Sequence, residues 1–225
     1  MEIKLDIVLG FLGSGKTSLI NLFLKSGEVE NELVVIVLFE CGKKEIIERA
    51  KNIVVIHRKD TDIFNEELLN FIVIEYMPNR IIVEYNGRGE TEKFINSFNN
   101  ILIGKILKQN KVINIIDSRR AEIYFKNTAK KIKKQIEYSD IVILSNSLGM
   151  DNGVVKSIKK RIKKINKYAR IIEAADEGVE EELVNNRRIC LNTENENLSN
   201  VELIISIFVF LFIIGIISIL SKEII

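Results

Sequence analysis

Short runs of aliphatic and β-branched residues alternate with longer amphipathic stretches along residues 4–175 of the chain. Several runs are almost wholly apolar, as strands are when helices cover both faces of a parallel sheet. The strands predicted in this way are 4–9, 33–39, 53–57, 80–84, 112–117, 141–145 and 170–172. The helices predicted between them are 17–25, 62–74, 91–107, 121–138 and 154–168. This alternation predicts an α/β fold with a mostly parallel sheet flanked by helices.

The pattern changes near the C-terminus. Residues 203–220 read LIISIFVFLFIIGIISIL, eighteen residues interrupted only by Ser206, Gly215 and Ser218. As a helix this segment would span roughly 27 Å, close to the hydrocarbon thickness of a bilayer. It lacks the polar stripe of a helix packed on a soluble core. We therefore expect a transmembrane helix at 203–221, and the alternative is a buried oligomerisation helix.

The rest of the domain organisation follows from that segment. Residues 192–200 (NTENENLSN) are polar and without periodicity. We therefore expect one domain at 1–190 and a polar linker at 191–202. The N-terminus has no basic region followed by an apolar one, so no signal peptide is predicted. We expect the main domain to lie in the cytoplasm.

The composition excludes few classes of function. The formal net charge is +2, too small to indicate nucleic acid by itself. Cys41 and Cys190 are too far apart in sequence to form a zinc pair or a thioredoxin-like pair. They are expected to be reduced thiols of an intracellular protein.

The strongest motif lies between the first predicted strand and the first predicted helix. Residues 10–17 read GFLGSGKT and fit G-x-x-x-x-G-K-[ST]. Glycines allow such a loop to curl so that successive N–H groups point at one phosphate, and the helix that follows adds its positive N-terminus. Lys16 would reach the β- and γ-phosphates, and the Thr17 hydroxyl would bind Mg²⁺. The alternative is a glycine-rich turn that binds nothing.

Several stretches resemble the CobW/HypB/UreG family of P-loop GTPases, and in particular its CobW branch. They are GFLGSGKTSLIN at 10–21, FECG at 39–42, EYNG at 84–87, EYSDIVILSN at 137–146 and IKKINKYARIIEA at 162–174. The family has Asn-Glu-Phe-Gly at the second of these stretches and Glu-x-x-Gly at the third. The resemblance covers residues 4 to about 175, and it implies a P-loop GTPase domain.

The resemblance also implies roles for individual residues. Positions expected to bind the nucleotide are Gly10, Gly13, Ser14, Gly15, Lys16, Thr17, Ser18, Gly87 and Asn146. Residues expected to act in hydrolysis are Lys16, Thr17 and Glu84, and residues expected to hold Mg²⁺ are Thr17, Glu40 and Glu84. Glu40 would lie in the first switch, and the Gly87 N–H would meet the γ-phosphate. For Glu84 and Glu40 the alternative is an ordinary carboxylate at the end of a strand.

The motif that reads guanine departs from the family pattern. Asn-Lys-x-Asp is replaced by NSLG at 146–149, so Gly149 stands where an aspartate would accept two hydrogen bonds from the base. Asp151 would substitute only if the loop shifted. GTP is thus implied by the resemblance, while the residues leave ATP open.

A second departure concerns metal carriage. CobW-type metallochaperones carry a Cys-x-Cys-Cys cluster between the switches, and the corresponding stretch here, near 56–60, has no cysteine. Glu40, Cys41 and His57 would form at most a sparse site, and a lone histidine at a strand end is more often structural. We expect the apolar segment to take the place of the C-terminal domain that is usual in CobW proteins.

Two predicted helices are strongly basic. KSIKKRIKKINK at 156–167 contains seven basic residues, and 126–134 is similar. Near a membrane anchor such helices could lie on an anionic leaflet. A solvated outer face on helices that flank the sheet is the preferred interpretation, and RNA is disfavoured because few aromatic residues are interleaved with the basic residues.

Together these features predict a membrane-tethered nucleoside triphosphatase, a GTPase switch related to metallochaperone GTPases, that uses GTP (or ATP) and Mg²⁺. A membrane transporter or permease is the expected client, a homodimer is a further option, and no nucleic-acid partner is expected. Two alternatives remain open at this point: a regulatory or assembly module that binds nucleotide without hydrolysis, and an ATP-using P-loop protein.

Overall fold

Seven parallel strands form the sheet in the part of the chain that the structure describes. This structure is a computed structural model, and it describes residues 2–39, 45–47, 51–59, 64–85, 91–99 and 106–174. The strands are β1 (Ile3–Gly10), β2 (Val34–Leu38), β3 (Ile53–His57), β4 (Arg80–Glu84), β5 (Leu107–Asp117), β6 (Ile141–Ser145) and β7 (Arg170–Glu173). Their order across the sheet is β3-β2-β4-β1-β5-β6-β7. The predicted parallel α/β architecture is confirmed.

Helices cover both faces of the sheet. They are α1 (Lys16–Lys25), α2 (Glu66–Tyr76), α3 (Thr91–Asn99), α4 (Ala121–Asn127), α5 (Ala129–Glu137) and α6 (Asn152–Ile165). Leu69 of α2 and Phe94 of α3 pack on β1, β2 and β4, while Ile132 of α5 and Ile158 of α6 pack on β5 and β6. These four helices share one face, and α1 lies on the other.

The strand β5 begins five residues earlier than predicted. The sequence predicts a helix to residue 107 and a strand from 112, whereas α3 ends at Asn99 and β5 starts at Leu107. Polar residues at 108–111 hide this extension in the sequence. The pairing with β1 contains a bulge between Leu5 and Asp6, where β5 has one extra residue. That residue, Asn110, donates a hydrogen bond to Asp6, so the polar stretch completes a buried contact.

The helix predicted at 121–138 is two helices. It breaks at Thr128, whose hydroxyl donates to the carbonyl of Tyr124 at 2.8 Å and whose backbone leaves the helical region. α6 ends at Ile165, earlier than predicted, because the Asn166 side chain accepts from the N–H groups of Tyr168 and Ala169. α2 ends at Tyr76, two residues beyond its predicted end.

The C-terminal predictions fall outside the described residues. The linker at 191–202, the transmembrane helix at 203–221 and the limit of the main domain at 190 therefore stay predictions. Among the described residues, none of the helices combines the length and hydropathy that a membrane span needs.

A buried ion network joins the amino-terminal ends of the central strands. Arg80 at the start of β4 is 2% exposed, and its guanidinium donates to Asp6 of β1 and, through two nitrogens, to Glu32. Lys4 donates a further hydrogen bond to Glu32 at 3.0 Å. The guanidinium also lies 5.4 Å from the centre of the Phe23 ring in α1. One cation thus links two strands, a helix and the turn before β2.

The pKa values of the two carboxylates in the network are shifted in opposite directions. Burial raises the pKa of Asp6, because the lowering effect of Arg80 does not fully offset the loss of solvent. Burial alone would also raise the pKa of Glu32, but the hydrogen bonds from Arg80 and Lys4 outweigh it and lower that pKa below its ordinary value of 4.5. Glu32 therefore contributes stability above about pH 4.5, and this contribution is lost as the pH falls through its lowered pKa. Asp6, whose pKa is raised, has the opposite effect, and its contribution to stability is lost as the pH rises through that pKa.

Glu32→Gln removes the charged acceptor of Arg80, so we expect the free energy of unfolding to fall by about 1.5–3 kcal/mol at pH 7. The difference from the unmodified chain should shrink as the pH falls from about 4.5, because Glu32 then becomes neutral in both states. Urea denaturation at pH 7 and at decreasing pH measures this. Glu30→Gln, the same change at an exposed position nearby, is the control. Equal losses for the two variants would contradict the account.

Candidate functional site

The carboxyl end of β1 leads into a glycine loop that ends where α1 begins. Gly10 has φ 145°, and a Cβ there would lie 2.6 Å from the carbonyl oxygen of Ile115 in β5. Gly13 and Gly15 have φ 75° and 108°, and a Cβ on either would meet nothing within 4 Å. Gly10 thus permits the close approach of the loop to β5, while the other two glycines permit the turn itself.

Lys16, Thr17 and Glu84 converge beside this loop. The Lys16 ammonium donates to the carbonyl oxygens of Gly10 at 3.1 Å and Phe11 at 3.2 Å, and it lies 3.9 Å from a Glu84 oxygen. The Thr17 hydroxyl donates to the other Glu84 oxygen at 2.9 Å. Lys16 is only 3% exposed and Glu84 only 2%. The two predicted loop residues and the predicted strand-end carboxylate therefore form one buried cluster.

The loop suits a polyphosphate. No side chain caps the N-terminus of α1, whose first-turn N–H groups have no acceptor within the helix. The Ser14 hydroxyl is buried and has no hydrogen-bond partner in the described part of the chain. The Ser145 hydroxyl at the end of β6 donates to the Ser14 carbonyl at 2.9 Å, which anchors the loop to a third strand. Ser18 lies in the first turn of α1, and its binding of phosphate stays a prediction.

The donor set also suits Mg²⁺. This cation prefers oxygen ligands, often from one or two carboxylates, and the Thr17 hydroxyl lies in direct contact with the Glu84 carboxylate. A triphosphate beside Glu84 would bring like charges together, and a divalent cation between them would remove that repulsion.

The segment predicted to read the base forms a tight turn after β6. Asn146 has φ 56°, a left-handed conformation that asparagine tolerates, and its amide donates to Asp117 at 3.1 Å. Ser147 is buried, and its hydroxyl donates to the carbonyl of Leu144. Gly149 offers no side-chain acceptor. Asp151, the predicted substitute, caps α6 by accepting from the N–H groups of Gly153 and Val154. That carboxylate therefore has a structural role in the turn as it stands.

Several residues at this edge were not recognised from the sequence. Asp117 ends β5, is 2% exposed, and accepts hydrogen bonds from the Arg119 backbone and from Asn146. Its position at the end of a buried strand was the available signal. The stacking of Phe11 on Tyr124, with ring centres 4.4 Å apart, and the Ser145 contact join distant parts of the sequence and left no such signal.

Other predicted site residues cannot be placed. Glu40, Cys41 and Gly87 lie outside the described residues. His57 is exposed at the end of β3. Within the described ranges, no group of three His, Cys, Asp or Glu side chains is arranged to hold a metal ion. The sparse site of Glu40, Cys41 and His57 thus stays a prediction.

Asn21 connects α1 to the segment after β2. It lies one helical turn beyond Thr17, is 6% exposed, and donates to the carbonyl of Glu45 at 2.9 Å. Its side-chain oxygen accepts from the Ile47 N–H, also at 2.9 Å. A single buried amide therefore fixes residues 45–47 to the helix that begins at the phosphate loop.

Fold and loop together define a P-loop nucleotide-binding domain. A profile described as CobW/HypB/UreG, nucleotide-binding domain, matches residues 4–173. The chain therefore belongs to the CobW/HypB/UreG family, as its motifs predict. Comparison with curated proteins returns no match.

Solved structures share the fold. The Zn(II)-bound YjiA GTPase from E. coli is 18% identical, with a TM-score of 0.62 over 82% of this chain and 61% of that one. The hydrogenase maturation factor HypB from Archaeoglobus fulgidus is 17% identical, with a TM-score of 0.57 over 85% of this chain and 91% of that one. HypB from Helicobacter pylori in complex with nickel is 14% identical, with a TM-score of 0.52 and coverages of 86% and 91%. The chain thus spans about three fifths of YjiA.

Gly10→Ala should destabilise the fold much more than Gly13→Ala. The new methyl group would meet the Ile115 carbonyl at 2.6 Å in the first variant and open space in the second, while both positions have positive φ. We expect losses of about 3 kcal/mol or more for Gly10→Ala and about 1–2 kcal/mol for Gly13→Ala. Urea denaturation measures both. Similar losses would show that the loop does not approach β5 as described.

Asn21→Ala should release residues 45–47 locally, because it removes both hydrogen bonds of the buried amide. We expect hydrogen exchange at the Ile47 amide to accelerate by about tenfold or more. The amides of β2, paired on both sides, serve as the internal reference for global unfolding. If Ile47 and β2 accelerated equally, the amide would stabilise the whole fold and have no specific effect on this segment.

Proposed function

We propose that this protein is a membrane-tethered nucleoside-triphosphate-binding protein that acts as a GTPase switch. The observation that carries the proposal is the convergence of Lys16, Thr17 and Glu84 beside a glycine loop that opens a helix. Membership of the CobW/HypB/UreG family supports it, since that family is one of nucleotide-binding domains related to metallochaperone-type GTPases.

Each residue of the cluster would have a distinct task. Lys16 would exchange its contacts with two loop carbonyls for contacts with the β- and γ-phosphates. Thr17 and Glu84 would hold Mg²⁺, with Glu40 as a further candidate ligand. Bound Mg²⁺ would supply positive charge that neutralises part of the negative charge of the phosphates. The N–H groups of the loop and of the first turn of α1 would orient the phosphates without needing to reorganise.

The proposed switch acts by ordering two segments of the chain when the nucleoside triphosphate is bound. The γ-phosphate would bias the segments that carry Glu40 and Gly87, which follow β2 and β4. The Asn21 amide supports this view, because it ties residues 45–47 to the helix that would sense the phosphates. No glutamine or arginine finger is assigned, so a partner or a second copy of the chain is proposed to complete the site.

The turn after β6 bears on the preference between guanine and adenine. Gly149 gives no side-chain acceptor for guanine, and the Asp151 carboxylate caps α6. Turning Asp151 toward a base would remove the N-terminal cap of α6, which would cost about 1 kcal/mol of stability. Guanine preference would therefore rest on backbone groups and Asn146, and use of ATP is the second candidate, favoured by the geometry of this turn.

Membrane attachment is proposed from the eighteen-residue apolar segment at 203–220. The nucleotide-binding domain would then lie in the cytoplasm, and an integral membrane protein such as a transporter or permease would be the client. A regulatory or assembly module that binds nucleotide without hydrolysis is the remaining alternative.

Thermal stabilisation of the full chain in detergent tests nucleotide binding. A nucleotide at one hundred times its dissociation constant should add about 2.7 kcal/mol. We expect GTP and GDP with Mg²⁺ to stabilise the chain, and Lys16→Ala to lose that gain. Lys25→Ala, at an exposed position in the last turn of the same helix, should retain it.

The possible results separate the candidates. Equal stabilisation by ATP would favour the ATP-using alternative. Stabilisation by GTP without release of phosphate would favour the non-hydrolysing module. No stabilisation by any nucleotide would contradict nucleotide binding altogether.

A further inference from the structure

Helices α5 and α6 lie side by side on one face of the sheet. Their C-terminal ends are joined by Asn166, whose side-chain amide donates to the carbonyls of Ile136, Glu137 and Ser139. Their apolar residues, such as Ile132 and Ile158, are buried against β5 and β6. The two helices therefore present their opposite sides outward together.

This region concentrates the positive charge of the chain. Residues 118–174 contain fifteen Lys and Arg against five Asp and Glu, an excess of ten positive charges. The rest of the chain has an excess of eight negative charges, which explains the small net charge of +2. A modest overall charge thus hides a strong asymmetry of charge along the sequence.

The outward side of the two helices carries lysines at helical spacing. Lys156, Lys160 and Lys163 follow one another at intervals of three or four residues on α6, away from the buried Ile158 and Ile162, and all three are exposed. Lys167, two residues beyond the end of α6, is also exposed. Lys130 of α5 is exposed as well. We call these five lysines the basic face.

The acidic residues nearby leave most of this charge uncompensated. Glu122 accepts from Arg161, Glu173 pairs with Lys159, and Glu137 pairs with Lys133 and Lys134. These pairs lie beside the basic face, and none of them includes one of its five lysines. Such exposed pairs contribute little stability. Of the five lysines, Lys163 donates to the backbone carbonyls of Lys167 and Ala169 and so has a structural role at the end of α6. Structural pairing with acidic residues does not account for the other four.

We propose that the basic face docks on an anionic lipid bilayer. Lysine dominates α5 and α6, nine residues against one arginine, and flexible ammonium groups suit a fluid surface of like headgroups better than bidentate recognition. Tyr168, at the end of α6, is 83% exposed and its ring lies 4.8 Å from the Lys167 ammonium, an arrangement suited to the headgroup region. The choice of a bilayer over nucleic acid rests on the proposed membrane attachment.

The docked state has a consequence for the proposed function. The basic face belongs to the same domain as the phosphate loop, so docking would fix the orientation of the nucleotide site relative to the bilayer.

The test uses the full chain with Cys41 and Cys190 replaced by Ser and with Ser157→Cys on α6 carrying an environment-sensitive fluorophore. The protein is reconstituted into vesicles of phosphatidylcholine alone and into vesicles in which about a third of the lipid is phosphatidylglycerol. We expect the fluorophore to report a less polar environment only on the anionic vesicles, and added salt to reverse this change.

Lys156→Glu combined with Lys160→Glu should lower the ratio of docked to undocked protein by about thirtyfold or more, since each contacting charge contributes about a factor of five. Lys51→Glu combined with Lys59→Glu makes the same change of charge at the two ends of β3, on the opposite edge of the sheet. This control should dock like the parent. Circular dichroism confirms that both variants fold.

Flotation of the same samples separates docking from tethering. A chain that floats with both kinds of vesicle, resists alkaline carbonate and shows no lipid-dependent fluorescence change would overturn docking and leave the tether intact. A chain that floats only with anionic vesicles, in a salt-sensitive way that Lys156→Glu with Lys160→Glu abolishes, would support docking and contradict the tether. A fluorophore that responds to polyuridylic acid and not to vesicles would overturn the proposal in favour of nucleic acid.

Discussion

The parallel pairing of β1 with β4 on one side and β5 on the other determines where the chemistry of this molecule takes place. β1 is paired with a strand on each side and its residues, apart from Lys4, are buried, so a ligand can reach this strand only at its ends. The register pairs Val8 with Glu84, which places that carboxylate beside the loop that follows Gly10. On the other side, Gly10 pairs with Ile115 of β5. The loop can lie close to that strand only because Gly10 has no Cβ.

The two ends of the sheet differ in role, since one holds a structural ion network and the other holds the proposed nucleotide site. At the amino-terminal end, Arg80, Asp6 and Glu32 satisfy one another in a buried network. At the carboxyl end, Lys16 and Glu84 are equally buried, yet the hydroxyl of Ser14 has no partner and α1 has no side-chain cap. Buried polar groups are normally paired, and an unpaired one at the edge of a cleft is what an absent ligand would leave. The contrast between the ends supports the carboxyl end as the nucleotide site.

The sequence predicted the sheet well because its strands are short apolar runs bounded by polar residues. Three strands, at 53–57, 80–84 and 141–145, have the limits that periodicity predicts. Prediction failed where a side chain overrides the pattern. The polar start of β5 is a strand because it pairs with β1 around a bulge, and Thr128 breaks a helix through its own hydroxyl. The phosphate loop was found because its motif is local, whereas the contacts of Asp117, Ser145 and Asn21 depend on distant segments.

The structure of the full chain with a non-hydrolysable GTP analogue and Mg²⁺ is the most direct test of the central claim. The account predicts phosphates in the loop at residues 10–17, with Lys16 turned from the Gly10 and Phe11 carbonyls toward them. It also predicts that the Thr17–Glu84 contact, 2.9 Å here, opens to admit the cation. Saturating analogue with an empty loop and this contact unchanged would contradict the account.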